Sequence, residues 1–296
     1  MGSQRSQTVQ SRRGATPLWL VVFLTAAGFA WAIAKLEAST AAAGYSSVDP
    51  RRVAFDLPAG DVGFPPGWNE LVAAKLVRLG ELSTLDEGLL DEVRAELEAL
   101  PFVREVGEAR VLWPDGVSVA IRLREPVACI CLGEDYLPVA SDGVVLPGYW
   151  ASPPDFGRGL LPVIGPVDGT FRQARPGEAL TEARHLDAVS VAISMREHLS
   201  LDTMRALGPV VIDATKAPQA AVDEPGTVLL LEDFRTVYFG RPPSYDAPGE
   251  LPEAEKWRHL ARAVDLLEPG APKEMDWDLV DVRWDGASLR PRLGYQ

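Results

Sequence analysis

Apolar residues fill positions 14–34 with no charge among them, and the densest part, Leu18-Trp19-Leu20-Val21-Val22-Phe23-Leu24, has no polar face. At about 1.5 Å per residue, such a helix matches a hydrocarbon layer of roughly 30 Å. The pattern predicts a transmembrane helix over residues 17–35, after a tail of residues 1–16. Arg5, Arg12 and Arg13 precede the span and only Lys35 closely follows it, which places the N-terminus in the cytoplasm and the bulk of the chain outside. Ala32-Ile33-Ala34 has the small-x-small form that a signal peptidase prefers, so a cleaved leader is the alternative. The apolar stretch exceeds the roughly 7–15 residues of a usual secretory signal, which favours an anchor.

Residues 36–52 are rich in Ala and Ser without apolar periodicity, and read as a linker. After a short extended candidate at 53–57, Trp68, Leu71, Val72, Leu76 and Leu79 recur at the spacing of an amphipathic helix. A second helix is predicted from the capping-box spacing of Thr84 and Glu87, with Leu89, Leu90, Val93, Leu97 and Leu100 as its stripe and Pro101 as its stop. Gly88 inside it costs about 1 kcal/mol against Ala. A hairpin follows: Ala109, Val111 and Trp113 alternate, Pro114-Asp115-Gly116 turns, and Val117, Val119, Ile121 and Leu123 alternate again until Pro126. One strand, two helices and two strands make an α+β unit over residues 53–126.

Beyond it, residues 127–296 read as a β-rich unit with flanking helices. Strand candidates lie at 127–132, 136–140, 144–146, 210–213, 228–231 and 236–239, and helices at 179–198 and 253–268. The last helix carries Trp257, Leu260, Ala261, Val264 and Leu267 on one side. A terminal hairpin is predicted from 279–284 and 287–290, joined at Asp285-Gly286, the strongest turn signal in the chain.

Composition narrows the function. The 296 residues carry 42 acidic and 29 basic side chains, a net charge of −13, so neither nucleic acid nor anionic lipid is the expected partner. Cys129 and Cys131 stand two apart, where strand geometry points both to one face and disfavours a bond between them; they read as small buried residues. His185, His198 and His259 fall in predicted helices without metal-ligand spacing. No nucleophile elbow, phosphate loop, H-E-x-x-H or C-x-x-C motif occurs, and Gly157-x-Gly159 lacks the third glycine of a dinucleotide fingerprint. The expectation is a protein without catalytic residues, metal, cofactor or small-molecule substrate.

Three stretches in order, Leu100-Pro101-Phe102-Val103, Leu112-Trp113-Pro114-Asp115-Gly116 and Arg124-Glu125-Pro126-Val127-Ala128, resemble the POTRA domain of the bacterial cell-division family FtsQ/DivIB. Further resemblances follow at Ser141-Asp142-Gly143-Val144-Val145, Leu161-Pro162-Val163-Ile164-Gly165-Pro166, Phe239-Gly240-Arg241, Glu255-Lys256-Trp257-Arg258-His259-Leu260 and Val280-Asp281-Val282-Arg283-Trp284. The chain departs from the family in transposing the basic and acidic residues of Arg124-Glu125-Pro126, and in carrying Pro65-Pro66-Gly67 where a glycine-asparagine turn is usual.

The resemblance implies a non-enzymatic scaffold in the inner membrane at the division site. Its POTRA domain (β-α-α-β-β) serves recruitment, and its β-rich domain binds bitopic FtsB/DivIC-like and FtsL-like proteins by strand addition. It places partner contacts at Asp281, Arg283 and Trp284 and on the following strand at Gly286, Ala287 and Leu289, with Arg283 pairing an acidic partner residue and Trp284 an aromatic anchor. The competing readings are an envelope POTRA adaptor in secretion or outer-membrane assembly, and an anchored envelope hydrolase.

Overall fold

The computed structural model describes residues 18–42, 47–49, 53–58, 65, 67–80, 82–84, 86–112, 116–166, 171, 173–217, 224–245, 248–266 and 276–291. The chain is a mixed α+β protein with an N-terminal apolar helix and a sheet-rich C-terminal part. The expected tail 1–16 and the turn at Trp113-Pro114-Asp115 lie outside the described residues.

Helix α1 spans Leu18–Ala42. Its stretch Trp19–Ser39 has a mean hydropathy of 1.8 and is 0% buried against the rest of the chain, so it is long and apolar enough to cross a membrane. The helix outlasts the expected span because residues 36–42 include three alanines, the best helix former; Lys35 Nζ stays on the helix, 5.0 Å from the Trp31 ring. The expected linker therefore begins as helix. It also contributes β1 (Ser47–Val48), whose Val48 pairs with Leu82 of β3 (Leu82–Ser83) and is buried with it.

Between these lie β2 (Ala54–Asp56) and α2 (Trp68–Val77), followed by α3 (Leu89–Glu98), β4 (Val103–Leu112) and β5 (Gly116–Leu123). The sheet order is β2-β5-β4, with β2 parallel and β4 antiparallel to β5. Trp68 and Phe102 stack with ring centroids 4.5 Å apart in a core of Val72, Leu76, Val93, Leu97, Val119 and Ile121. The expected Thr84–Glu87 capping box does not form the helix start. Gly88 is the N-cap of α3, its N–H donating to Asp86 Oδ1 at 2.9 Å, so the glycine stands outside the helix and its interior penalty does not apply.

The second sheet has eight strands, in the order β13-β12-β11-β10-β9-β8-β6-β7. These are β6 (Pro126–Leu132), β7 (Asp135–Ala140), β8 (Val163–Ile164), β9 (Val210–Asp213), β10 (Thr227–Leu231), β11 (Thr236–Gly240), β12 (Trp277–Asp281) and β13 (Ser288–Pro291). Helices α4 (Ala183–His198), α5 (Leu201–Leu207) and α6 (Glu253–Asp265) share one core with its inward side chains, among them Val191, Ile212, Leu229, Val237, Trp257, Leu260 and Val280. The expected strand at 144–146 forms only isolated bridges, Val144 to Ala179 and Val145 to Val139, and the first of these keeps Ala179 out of α4. Helix α5 was not anticipated; Ser200 caps it, accepting from Thr203 N at 3.1 Å.

The two cores meet, since Ala140 and Leu146 pack in the first cluster and Trp68 Nε1 donates to Pro147 O at 3.1 Å. Arg124 fastens the junction. Its guanidinium donates to the carbonyls of Pro101 (2.8 Å) and Val103 and to Asp142 Oδ2 (2.9 Å). Arg124→Ala removes charge-assisted bonds from a mostly covered group, and is expected to lower stability by about 2 kcal/mol in urea unfolding.

Candidate functional site

The candidate site is the C-terminal end of the eight-stranded sheet. β13 is exposed at all four residues, and among the described residues it pairs only with β12. Residues paired in register share a face, so strand pairing sets out two rows across the sheet. Ile212, Leu229, Val237, Val280 and Leu289 form the row beneath the helices, and Val211, Leu230, Thr236, Leu279 and Arg290 form one on the opposite face. Four members of the first row are buried; Leu289, at its end, is 39% exposed. The core row thus runs out to an open edge and stops on an apolar side chain.

The six residues expected to contact a partner divide into three kinds. Asp281 and Arg283 are turned inward and bond each other: Arg283 Nε donates to Asp281 Oδ1 at 2.9 Å and Nη2 to Oδ2 at 2.7 Å, while the Arg283 N–H donates to Oδ1 at 3.1 Å. Arg283 is 5% exposed, and Nη1 donates to the carbonyl of Glu224. Hydrogen bonding to Asp281 raises the guanidinium pKa above its ordinary value. Where the resemblance implies a partner's acid for Arg283, the acid it meets in this structure is Asp281, two residues away in its own chain. Trp284 is half-buried, its ring 5.2 Å from the Arg283 guanidinium carbon, whose other neighbour is Tyr238 at 5.9 Å. Gly286 takes φ +81° in the turn, a left-handed conformation that favours glycine. Ala287 is half-buried against the core, which leaves Leu289 as the expected contact that lies on the edge itself.

A second ion pair beside this hairpin was missed as a unit. Lys256 of α6 is 3% exposed; its Nζ donates to Glu250 Oε2 at 2.5 Å and to Arg241 O at 3.4 Å, and sits 5.0 Å from the Phe239 ring. The Arg241 N–H donates to the same Glu250 oxygen at 3.1 Å. Gly240 has φ +87°, and a Cβ there would lie 2.3 Å from Glu250 Oε2. Leu251 N donates to Arg283 O at 2.8 Å, so the two ion pairs brace one set of loops above the edge. The signal was present in Gly240-Arg241, Glu255-Lys256 and Asp281-x-Arg283, read as separate motifs. Only the fold shows that they converge.

Cys129 is buried and Cys131 half-buried on one face of β6, both unbonded thiols, and burial raises the pKa of each. His185 lies buried with its ring 4.6 Å from Phe171, and His198 Nδ1 is 3.0 Å from Ser194 O. Among the described residues no group of three His, Cys, Asp or Glu is placed to hold a metal ion. No protein-family model matches the chain, and no curated protein matches it.

Proposed function

We propose that the chain is a single-pass membrane scaffold of the FtsQ/DivIB kind, in which β13 receives a strand from a bitopic partner. The observation that carries this reading is the core row ending at Leu289 on an exposed strand edge. An incoming strand continues the backbone ladder of β13 and places every second side chain on the side of Leu289, extending the apolar row by one residue. Main-chain bonds then supply affinity, and the covered Leu289 supplies selectivity.

Two further features support the reading. Apart from the two-residue β3 between the helices, the order β2, α2, α3, β4 and β5 follows the strand-helix-helix-strand-strand order that the sequence resemblance implies, which supports a POTRA-like unit. The N-terminal helix is suited to hold such a scaffold at the inner membrane, with the sheet edge outside the cytoplasm. Asp281 and Arg283 act here by holding the end of β12 in place, rather than by touching the partner.

The role is tested by a fluorescent fusion at the N-terminus combined with depletion of the native protein. A midcell band and filamentous cells are expected; uniform envelope fluorescence with normal division refutes the role in division. The edge is tested separately with purified FtsB/DivIC-like and FtsL-like partners. Leu289→Lys places a charge at the end of the core row, where it opposes strand addition, while its exposure spares the fold. Binding is expected to weaken at least about tenfold with an unchanged melting temperature. Unchanged binding excludes this edge.

A further inference from the structure

Phe234 stands at the tip of the β10–β11 hairpin and is 91% exposed, the most exposed large apolar side chain among the described residues. It also has φ +67°, the one positive value at a non-glycine residue among those described. Its N–H donates to Leu231 O at 3.1 Å, and Leu231 N donates to Arg235 O at 2.9 Å, so Phe234 is the last residue of the turn, with Arg235 leading into β11. That position in a short hairpin is ordinarily held by glycine, since a Cβ there crowds the backbone and a bulky side chain is an outlier. Phe234 therefore accepts a strained backbone and makes almost no contact with its own fold.

Arg235 ties down the base beneath it. Arg235 pairs with Asp233 and, through Nη2 at 2.8 Å, with Asp276; its Nε donates to Trp277 O at 2.9 Å, and its guanidinium carbon lies 5.6 Å from the Trp277 ring. The ring of Phe234 is thus carried on a braced turn. Leu230, four residues earlier on β10, is 41% exposed on the helix-free face, where it shares a row with the half-buried Val211 and Leu279. Among the described residues, Asp233 and Asp276 both pair with Arg235, and exposed Glu232 adds a further carboxylate beside Phe234.

We propose that Phe234 is the anchor of a protein-binding surface, entering an apolar cleft whose rim carries Lys or Arg, with Leu230 as its flank. An exposed aromatic on a hydrogen-bonded turn suits an anchor that is desolvated on binding, because the backbone beneath it has little freedom left to lose. The acidic surround selects the partner. It disfavours an anionic lipid surface, and a second copy of a chain with net charge −13 is disfavoured for the same reason. This surface is separate from the strand edge at Leu289 and does not depend on the role proposed for that edge.

The test uses the full chain in its native membrane with photoreactive benzoylphenylalanine at position 234, and the crosslinked peptides are sequenced. The expected product is a single protein crosslinked within a segment that carries Lys or Arg beside apolar residues. Glu232→Lys is expected to lower its yield at least fivefold, as is 0.5 M salt. With the photoreactive group moved to position 230, Phe234→Gly is expected to abolish the same crosslink while leaving the melting temperature unchanged or raising it by about 2–4 °C. Crosslinks only to lipid or to another copy of the chain, yields no higher than from an exposed position in α3, or yields indifferent to Glu232→Lys overturn the proposal. So does a Phe234→Gly variant that melts lower, which would show that the side chain serves the fold.

Discussion

Trp257→Ala is expected to destabilise the sheet-rich C-terminal part by about 3–5 kcal/mol, the cost of emptying a buried aromatic site. Trp257 is 0% exposed on α6, its ring centroid lies 4.5 Å from that of Phe239 on β11, and its Nε1 donates to Ser194 Oγ of α4 at 2.5 Å. One side chain therefore joins two helices and the sheet. Truncation leaves a cavity among Phe239, Leu260 and α4, and strands the Ser194 hydroxyl without its donor. Since whole domains are stable by only about 5–15 kcal/mol, the loss is a large fraction of the total. Urea unfolding of the detergent-solubilised chain, followed by far-UV circular dichroism, measures it. Trp257→Phe keeps most of the packing and loses the N–H bond, so a loss of about 1–2 kcal/mol is expected. Equal losses for the two variants would show that the hydrogen bond, and not the volume, holds the helices together.

Arg283→Ala is expected to cost about 3–5 kcal/mol, for a different reason. Removing one partner of a covered ion pair leaves Asp281 charged with its three donors reduced to one, and leaves the Glu224 carbonyl without the guanidinium. Arg283→Lys is not expected to restore stability, since an ammonium group cannot reproduce the two parallel bonds to Asp281. Adding Asp281→Asn to Arg283→Ala is expected to recover part of the loss by removing the stranded charge. The double-mutant cycle measures this coupling. Both single variants should also weaken partner binding, because Asp281 closes β12 against Ser288 of β13. Their signature differs from that of Leu289→Lys, where binding falls and stability does not.

The elements that rest on local periodicity were legible from the chain alone. The apolar run at 14–34, the alternation of Val117, Val119 and Ile121, and the one-sided helix bearing Trp257, Leu260 and Val264 each write their structure into neighbouring residues. The Asp285-Gly286 turn was legible only in part: Gly286 takes the left-handed conformation, but β12 stops at Asp281 and β13 begins at Ser288, so six residues and not two join the strands. The elements that sequence reading missed depend on distant partners. Val48 becomes a buried strand residue only because Leu82 lies beside it, and Val144 and Val145 are bridges because Ala179 and Val139 meet them from two directions. Thr84 and Glu87 have the right spacing for a capping box, but the turn held by Asp86 starts the helix later.

The candidate site divides along the same line. Sequence by itself determined that a membrane-length helix precedes an α+β region, that the chain carries a net charge of −13, and that a hairpin closes the described part of the C-terminal sheet. Each of these follows from local side-chain chemistry, or from sums over it. Tertiary structure alone decided that β13 is the edge, that Leu289 ends a core row, that Phe234 stands free at a strained turn, and that Arg283 and Lys256 are buried. A charged side chain reads as surface in any local window, because isolated charge is costly to bury. Arg283 and Lys256 escape that reading only because folding delivers Asp281 and Glu250 to them, and a pairing of that kind is a property of the assembled chain.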